Sequence, residues 1–232
     1  MKKVFVAILA LALMLSLSAL AEGVMTYADY MAAEEDDEVT IECYVQAHQS
    51  WWDGKITVYA ADQDGGYFIY NMACSEEDAA RLEPGAKIRV NGFKAIWSGE
   101  IEIADATFEF VDAEPWTAEA VDVTDLLGTD QLVEKQNQFV AFKGMTVEAI
   151  NDDGAAFLYN WDGSGEEGSD LYFKVSKNGQ DYTFTVESYL CGPGTDVYEA
   201  VKALNVGEVV DLEGFLYWYE GVNPHITAVT AA

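Results

Sequence analysis

The clearest signal along the chain is a two-residue rhythm of apolar and polar positions. From Val39 to Gln46, Val39, Ile41, Cys43 and Val45 share one phase, and Thr40, Glu42, Tyr44 and Gln46 share the other. A period of two places the apolar set on one face of a strand. Turn-like residues from His48 to Gly54 follow, and then the runs Lys55–Ala60 and Tyr67–Asn71, split by Asp62-Gln63-Asp64-Gly65-Gly66. The texture then changes. Ser75-Glu76-Glu77-Asp78 has the form of a helix cap, Ala79 to Leu82 continues it, and Pro84-Gly85 stops it. Two long alternating runs, Lys87–Trp97 and Glu100–Phe110, close the unit around Ser98-Gly99. A short helical segment, Thr26–Ala33, precedes it.

The same order recurs downstream. Phe139–Ala149 reads as a first strand and Ala155–Asn160 as a second. Leu171–Val175 and Tyr182–Val186 read as a third strand and its extension, joined at Asn178-Gly179. Asp196–Leu204 is the helix, and Glu208–Tyr219 and His225–Thr230 are the last two strands. Register supports a repeat. Asp53-Gly54 and Tyr59 recur 100 residues on, Tyr67-Phe68 recurs 105 on, and Leu82, Gly85, Gly92-Phe93 and Gly99 recur 122 on. Three strands, a helix and two strands is the element order of the OB-fold, a five-stranded Greek-key barrel. The expected class is therefore mainly all-β: two tandem OB-fold barrels, each with a short helix between strands three and four. The first barrel is expected over 22–112 and the second over 139–232. Between them lies a linker (113–138) carrying a helical leader at Thr124–Lys135.

The N-terminus reads as an address. Met1-Lys2-Lys3 precedes an apolar run from Val4 to Leu20, and Ala19-Leu20-Ala21 offers small residues where a signal peptidase reads them. Residues 1–21 are thus expected to be a bacterial secretory signal peptide cut after Ala21, leaving a secreted, extracellular protein with no membrane association. Charge then narrows the partners. The chain has 12 basic and 41 acidic residues, a net charge of −29; loss of Lys2 and Lys3 leaves ten basic residues and −31. Residues 22–115 carry 5 bases and 21 acids, and residues 116–232 carry 5 and 20, so both units share the charge. Backbone-led nucleic-acid binding needs Lys and Arg on phosphates. On that ground nucleic acid is not expected as a partner. Three cysteines, Cys43, Cys74 and Cys191, form no disulfide framework; a Cys43–Cys74 bridge and free buried thiols both remain open.

The runs VQAHQSWWDGKITVY (45–59), YFIYNMACSEED (67–78) and GFLYWYEGVNPHIT (214–227) resemble an uncharacterised group of secreted tandem OB-fold proteins of anaerobic gut bacteria. The resemblance covers nearly all of the chain after the leader. It implies the fold and export, and brings no activity and no site residues.

OB barrels bind ligands on the face of strands two and three, flanked by the loops between strands one and two and between four and five. Aromatic residues gather at those places. Trp51, Trp52 and Trp97 fall there in the first unit, and Trp161, Tyr217 and Tyr219 in the second, with His225 starting the last strand. In the fourth strand of the second unit, Val210, Leu212, Leu216 and Trp218 share the inward phase; Phe215, Tyr217 and Tyr219 face out. These seven residues, Trp51, Trp52, Trp97, Trp161, Tyr217, Tyr219 and His225, are the candidate ligand-binding set. The same rings could instead pack the barrels together. Asp62-Gln63-Asp64-Gly65 and Asn160 to Glu166 space oxygens as calcium loops do, but neither keeps the EF-hand spacing, so both are read as turns and no metal or other cofactor is expected. No nucleophile elbow, zinc motif or phosphate loop occurs. The reading is a secreted, non-catalytic binding module for a neutral or cationic ligand: a glycan, a peptide or a partner protein. The alternatives are a single-strand nucleic-acid binder and a scaffold without a small ligand.

Overall fold

The computed structural model describes residues 23–232, so the proposed signal peptide lies outside the described residues. A capped helix α1 (Tyr27–Ala32) comes first; Thr26 and Asp29 form a reciprocal capping box at its start. Five strands follow: β1 (Glu38–His48), β2 (Lys55–Ala61), β3 (Gly66–Ala73), β4 (Lys87–Trp97) and β5 (Glu100–Phe110), with helix α2 (Glu76–Ala79) between β3 and β4. They close in the order β1-β2-β3-β5-β4. The phase read from the sequence holds: Val39, Ile41, Cys43 and Val45 are each at most 1% exposed and share a core with Ile56, Val58, Ile69, Ile88 and Val90. The Ser75 hydroxyl accepts the Asp78 amide, and this cap starts α2.

The second barrel is built from β7 (Phe139–Glu148), β9 (Leu171–Lys177), β10 (Gln180–Val186), β11 (Val209–Phe215) and β12 (His225–Ala231), with helix α3 (Asp196–Lys202) between β10 and β11. β7 pairs with both β9 and β11, which closes β7-β9-β10-β12-β11 into a ring of the same order as the first. Two short strands lie outside the ring: β6 (Val121–Asp122), parallel to β7, and β8 (Phe157–Tyr159), antiparallel to β9. The fold is a tandem pair of OB barrels.

Three expectations need correction. Ala155–Asn160 is not strand two; only Phe157–Tyr159 is extended, as an outer strand on β9, and β9 and β10 are strands two and three. Asn178 and Gly179, both at positive φ, form the turn between them. The offsets of 100 and 105 therefore match turn and aromatic chemistry at non-equivalent positions. The 122 offset holds. Gly92 and Gly214 both sit at a register shift, in β4 against β5 and in β11 against β12. A Cβ on Gly92 would meet Ile103 and Ala104, and one on Gly214 would meet His225 and Ile226. The Thr124–Lys135 leader is not a continuous helix. It is two 3-10 turns, Thr124–Leu126 and Leu132–Lys135, separated where Gly128 takes φ +78°. Finally, β11 ends at Phe215, and residues 216–224 form a loop in which Trp218 bridges Val222.

The linker straps the first barrel. Trp116 packs edge-on to Tyr44 with ring centroids 5.5 Å apart, and the Ala118 amide donates to Gln46 Oε1 at 2.7 Å. Cys43, Cys74 and Cys191 are all free thiols, the first two buried.

Candidate binding cleft

The barrels meet through an aromatic cluster. Tyr59 on β2 and Phe68 on β3 are outward on the first barrel, yet only 1% and 4% exposed, because Phe215 of β11 covers them. Tyr59 stacks on Phe215 at 4.6 Å between centroids, and Phe68 meets Tyr217 edge-on at 5.1 Å. Tyr217 stacks on His225 at 4.3 Å, and Tyr59 Oη shares a 2.6 Å hydrogen bond with His225 Nδ1. Burial holds the His225 imidazole neutral, its pKa lowered to about 3. His225 is thus an uncharged joint between barrels.

A second set of contacts joins the loops between strands four and five. The Trp218 amide donates to Glu100 Oε2 at 2.8 Å, and the Glu220 amide donates to the Ser98 carbonyl at 2.8 Å. Gln136 Nε2 donates to the Gly99 carbonyl at 2.9 Å and to Glu100 Oε2 at 3.2 Å; Asn137 Nδ2 donates to the Ile101 carbonyl at 2.8 Å. Glu100 is fully buried, and desolvation raises its carboxyl to about 8. Glu100 Oε1 and Gln136 Oε1 are both buried without a partner. A proton on Glu100 removes the cost of a buried charge and turns one of its oxygens into a donor.

Beside the aromatic cluster, and sharing Phe68, Tyr217 and His225 with it, lies an open cleft of about 850 Å³. The first barrel lines it with Gln49, Phe68, Tyr70, Trp97 and Glu102, and the second with Trp161, Tyr172, Tyr217, Tyr219, Asn223 and His225. The local reasons are simple. Along β3, Tyr67 and Ile69 point into the core, so Phe68 and Tyr70 point out. Glu102 pairs in register with Phe68 across the parallel β3–β5 contact, which sets its carboxylate on the same outer surface. Tyr172 is the outward residue between the buried Leu171 and Phe173 of β9. Asn223 is held by its Oδ1, which accepts from the Thr185 hydroxyl at 2.8 Å.

Five of the seven sequence candidates come together here: Trp97, Trp161, Tyr217, Tyr219 and His225. Trp97 and Tyr219, matched by the 122 offset, do both face the cleft. Trp51 and Trp52 are not in its lining. Trp51 turns inward, packs against the first core, and donates from Nε1 to the Cys74 carbonyl at 2.9 Å. Trp52 stands 79% exposed in the tight turn made by Asp53 and Gly54. Trp161 follows the outer strand β8, at the start of the loop that leads to β9. His48 and His225 do not share a site: His48 lines a separate depression with Ala47, Leu190 and Cys191. Sequence reasoning missed Phe68, Tyr70, Glu102 and Tyr172. The signal was present in the outward phase of YFIYN and EIEI, which reads as a solvated face until a second barrel covers part of it.

Asp62 acts as a turn former. Its Oδ1 accepts the amides of Asp64 and Gly65, and its Oδ2 accepts the Tyr67 hydroxyl. Asp162 Oδ1 likewise accepts the Ser164 amide at 3.0 Å.

No family model and no curated protein matches the chain. Solved structures do match in fold. A murine DNA-binding protein bound to double-stranded DNA is 11% identical, with a TM-score of 0.38, over 83% of this chain and 99% of its own. The p204 HINb domain is 12% identical, with a TM-score of 0.38, over 86% and 100%. A replication protein A heterotrimer bound to single-stranded DNA is 13% identical, with a TM-score of 0.30, over 82% and 50%. The expectation against a nucleic-acid partner does not stand beside these matches, two of which are DNA complexes. It rested on net charge, which averages the whole surface.

Proposed function

We propose that this protein is a non-catalytic OB-fold binding module, acting after export, whose ligand is a chain of ring-bearing units seated in the cleft between its barrels. The observation that carries the reading is the cleft itself. It lies against strand three of the first barrel and strand two of the second, parts of the face that OB barrels use for oligosaccharides and oligonucleotides, and it gathers rings from both barrels. Trp97, Trp161 and Tyr219 are at least half exposed there, so their faces are open to stacking. Gln49 and Asn223 add amide groups that orient a polar ligand.

The first form of the reading is a glycan. The second is a single-stranded nucleic acid, favoured by the continuous ring platform from Tyr70 and Phe68 to Tyr217, since base stacking is tolerant of sequence. Calorimetric titration with neutral oligosaccharides and with oligothymidylate tests both. Saturable binding that falls about tenfold or more in Trp97→Ala supports the cleft, and the arm that binds names the class. Binding unaffected by Trp97→Ala and by Tyr219→Ala would move the site elsewhere.

A further inference from the structure

The cleft contains one feature that stacking does not explain. Glu102 is only 8% exposed and opens onto the cleft, and its side chain makes no hydrogen bond or ion pair among the described residues. A buried carboxylate is ordinarily paired or hydrogen-bonded, because its desolvation is otherwise uncompensated. No Lys or Arg lines the cleft. Lys94, on the strand that leads to Trp97, is spent elsewhere: its Nζ donates to the carbonyls of Tyr30, Met31 and Ala33 at the end of α1. Lys87 and Arg89 are paired with Glu42. Negative field reaches the rings as well. The Tyr217 hydroxyl is pushed up first by burial and then by Glu100 and Glu102. Rings in that field present their electron-rich faces, which attract cations.

We propose that the cleft selects a ligand carrying an organic cation, an ammonium or guanidinium group that lies among the aromatic rings with its charge on Glu102. This rests on the reading of the cleft as a site for ring-bearing ligands and names the chemistry of what it accepts. The aromatic rings hold the flanks of the cation, and the cation supplies Glu102 with the counter-charge that no side chain in the cleft supplies.

A matched pair of sugars tests it. An N,N,N-trimethylglucosamine tetramer has one permanent positive charge per ring, and the N-acetylglucosamine tetramer has none. Each is titrated calorimetrically into the whole protein and into Glu102→Gln, with oligothymidylate as a third probe. The expected result is at least about tenfold tighter binding of the charged sugar, a preference lost in Glu102→Gln. The variant replaces an uncompensated carboxylate with an amide of the same shape, so its melting temperature should hold or rise. Equal binding of the two sugars would overturn the cation inference and leave the cleft reading standing. So would binding of oligothymidylate without the charged sugar. Binding of none of the three would overturn both.

Discussion

Single residues in and around the cleft divide into those that hold the barrels and those that wait for a ligand. Trp97 is 60% exposed and belongs to the second kind. Its replacement by Ala should change stability by less than about 1 kcal/mol while weakening binding about tenfold or more, read by thermal melting beside titration. Phe215, 4% exposed between Tyr59 and Phe139, belongs to the first kind. Phe215→Ala should cost about 3 kcal/mol in denaturant unfolding. Glu100 is a third case, and its consequence is a pH dependence. Its native carboxyl lies at about 8 against 4.5 for the free group, so the folded protein keeps a proton that the unfolded chain has lost. Stability from this group is fully present below the unfolded value and drains away as pH rises toward 8. His225 acts oppositely: held neutral down to about 3 against 6.5, it costs stability only as pH falls below 6.5. Glu187, raised by burial to about 7, acts in the same direction as Glu100 up to that value, so between pH 7 and 8 the Glu100 effect stands clear of both Glu187 and His225. The melting temperature should fall across that window, and Glu100→Gln, which keeps an acceptor for Trp218 and gives a donor to Gln136, should flatten the slope.

At the scale of elements, the first barrel was readable almost strand by strand. β4 and β5 have the boundaries expected of them, because each is a long alternating run closed by Ser98-Gly99. The second barrel was misread at strand two. Phe157-Leu158-Tyr159 is apolar and follows an Asp-Gly turn, as β2 does, so its local chemistry is that of a barrel strand. What decides the matter is non-local: β9 pairs with β7, β8 and β10, and only the pairing with β7 closes the ring. The same limit hid part of the site. Rings and carboxylates on the outer phase of β3 and β5 look solvated in isolation, and Trp51 and Trp52 look alike although one side chain turns inward and the other outward. The close approach of β3 to the segment before β7 offers a test at this scale. A Cβ on Gly66 would overlap the Asn137 backbone. Gly66→Ala should therefore destabilise by about 2–3 kcal/mol, measured by chemical unfolding, although it lies in no core.

For the molecule as a whole, the account treats two barrels as one binding body. Rings of both line the cleft, so a ligand reads their relative placement as well as their side chains. The joint is made by Tyr59, Phe68 and Phe215, by the Tyr59–His225 hydrogen bond, and by Glu100 with Gln136 and Trp218. Calorimetric melting should show one cooperative transition in the native protein and two in Phe215→Ala, as the barrels lose their shared core. Binding should weaken in that variant even though Phe215 does not line the cleft. The six tryptophans allow the central claim to be checked directly, because their indole N–H signals report separately on six places. Ligand added to isotopically labelled protein should shift Trp97 and Trp161, which line the cleft, and leave Trp51, Trp52 and Trp116 in place. Shifts centred on Trp51 and Trp52, with Trp97 and Trp161 unmoved, would contradict it.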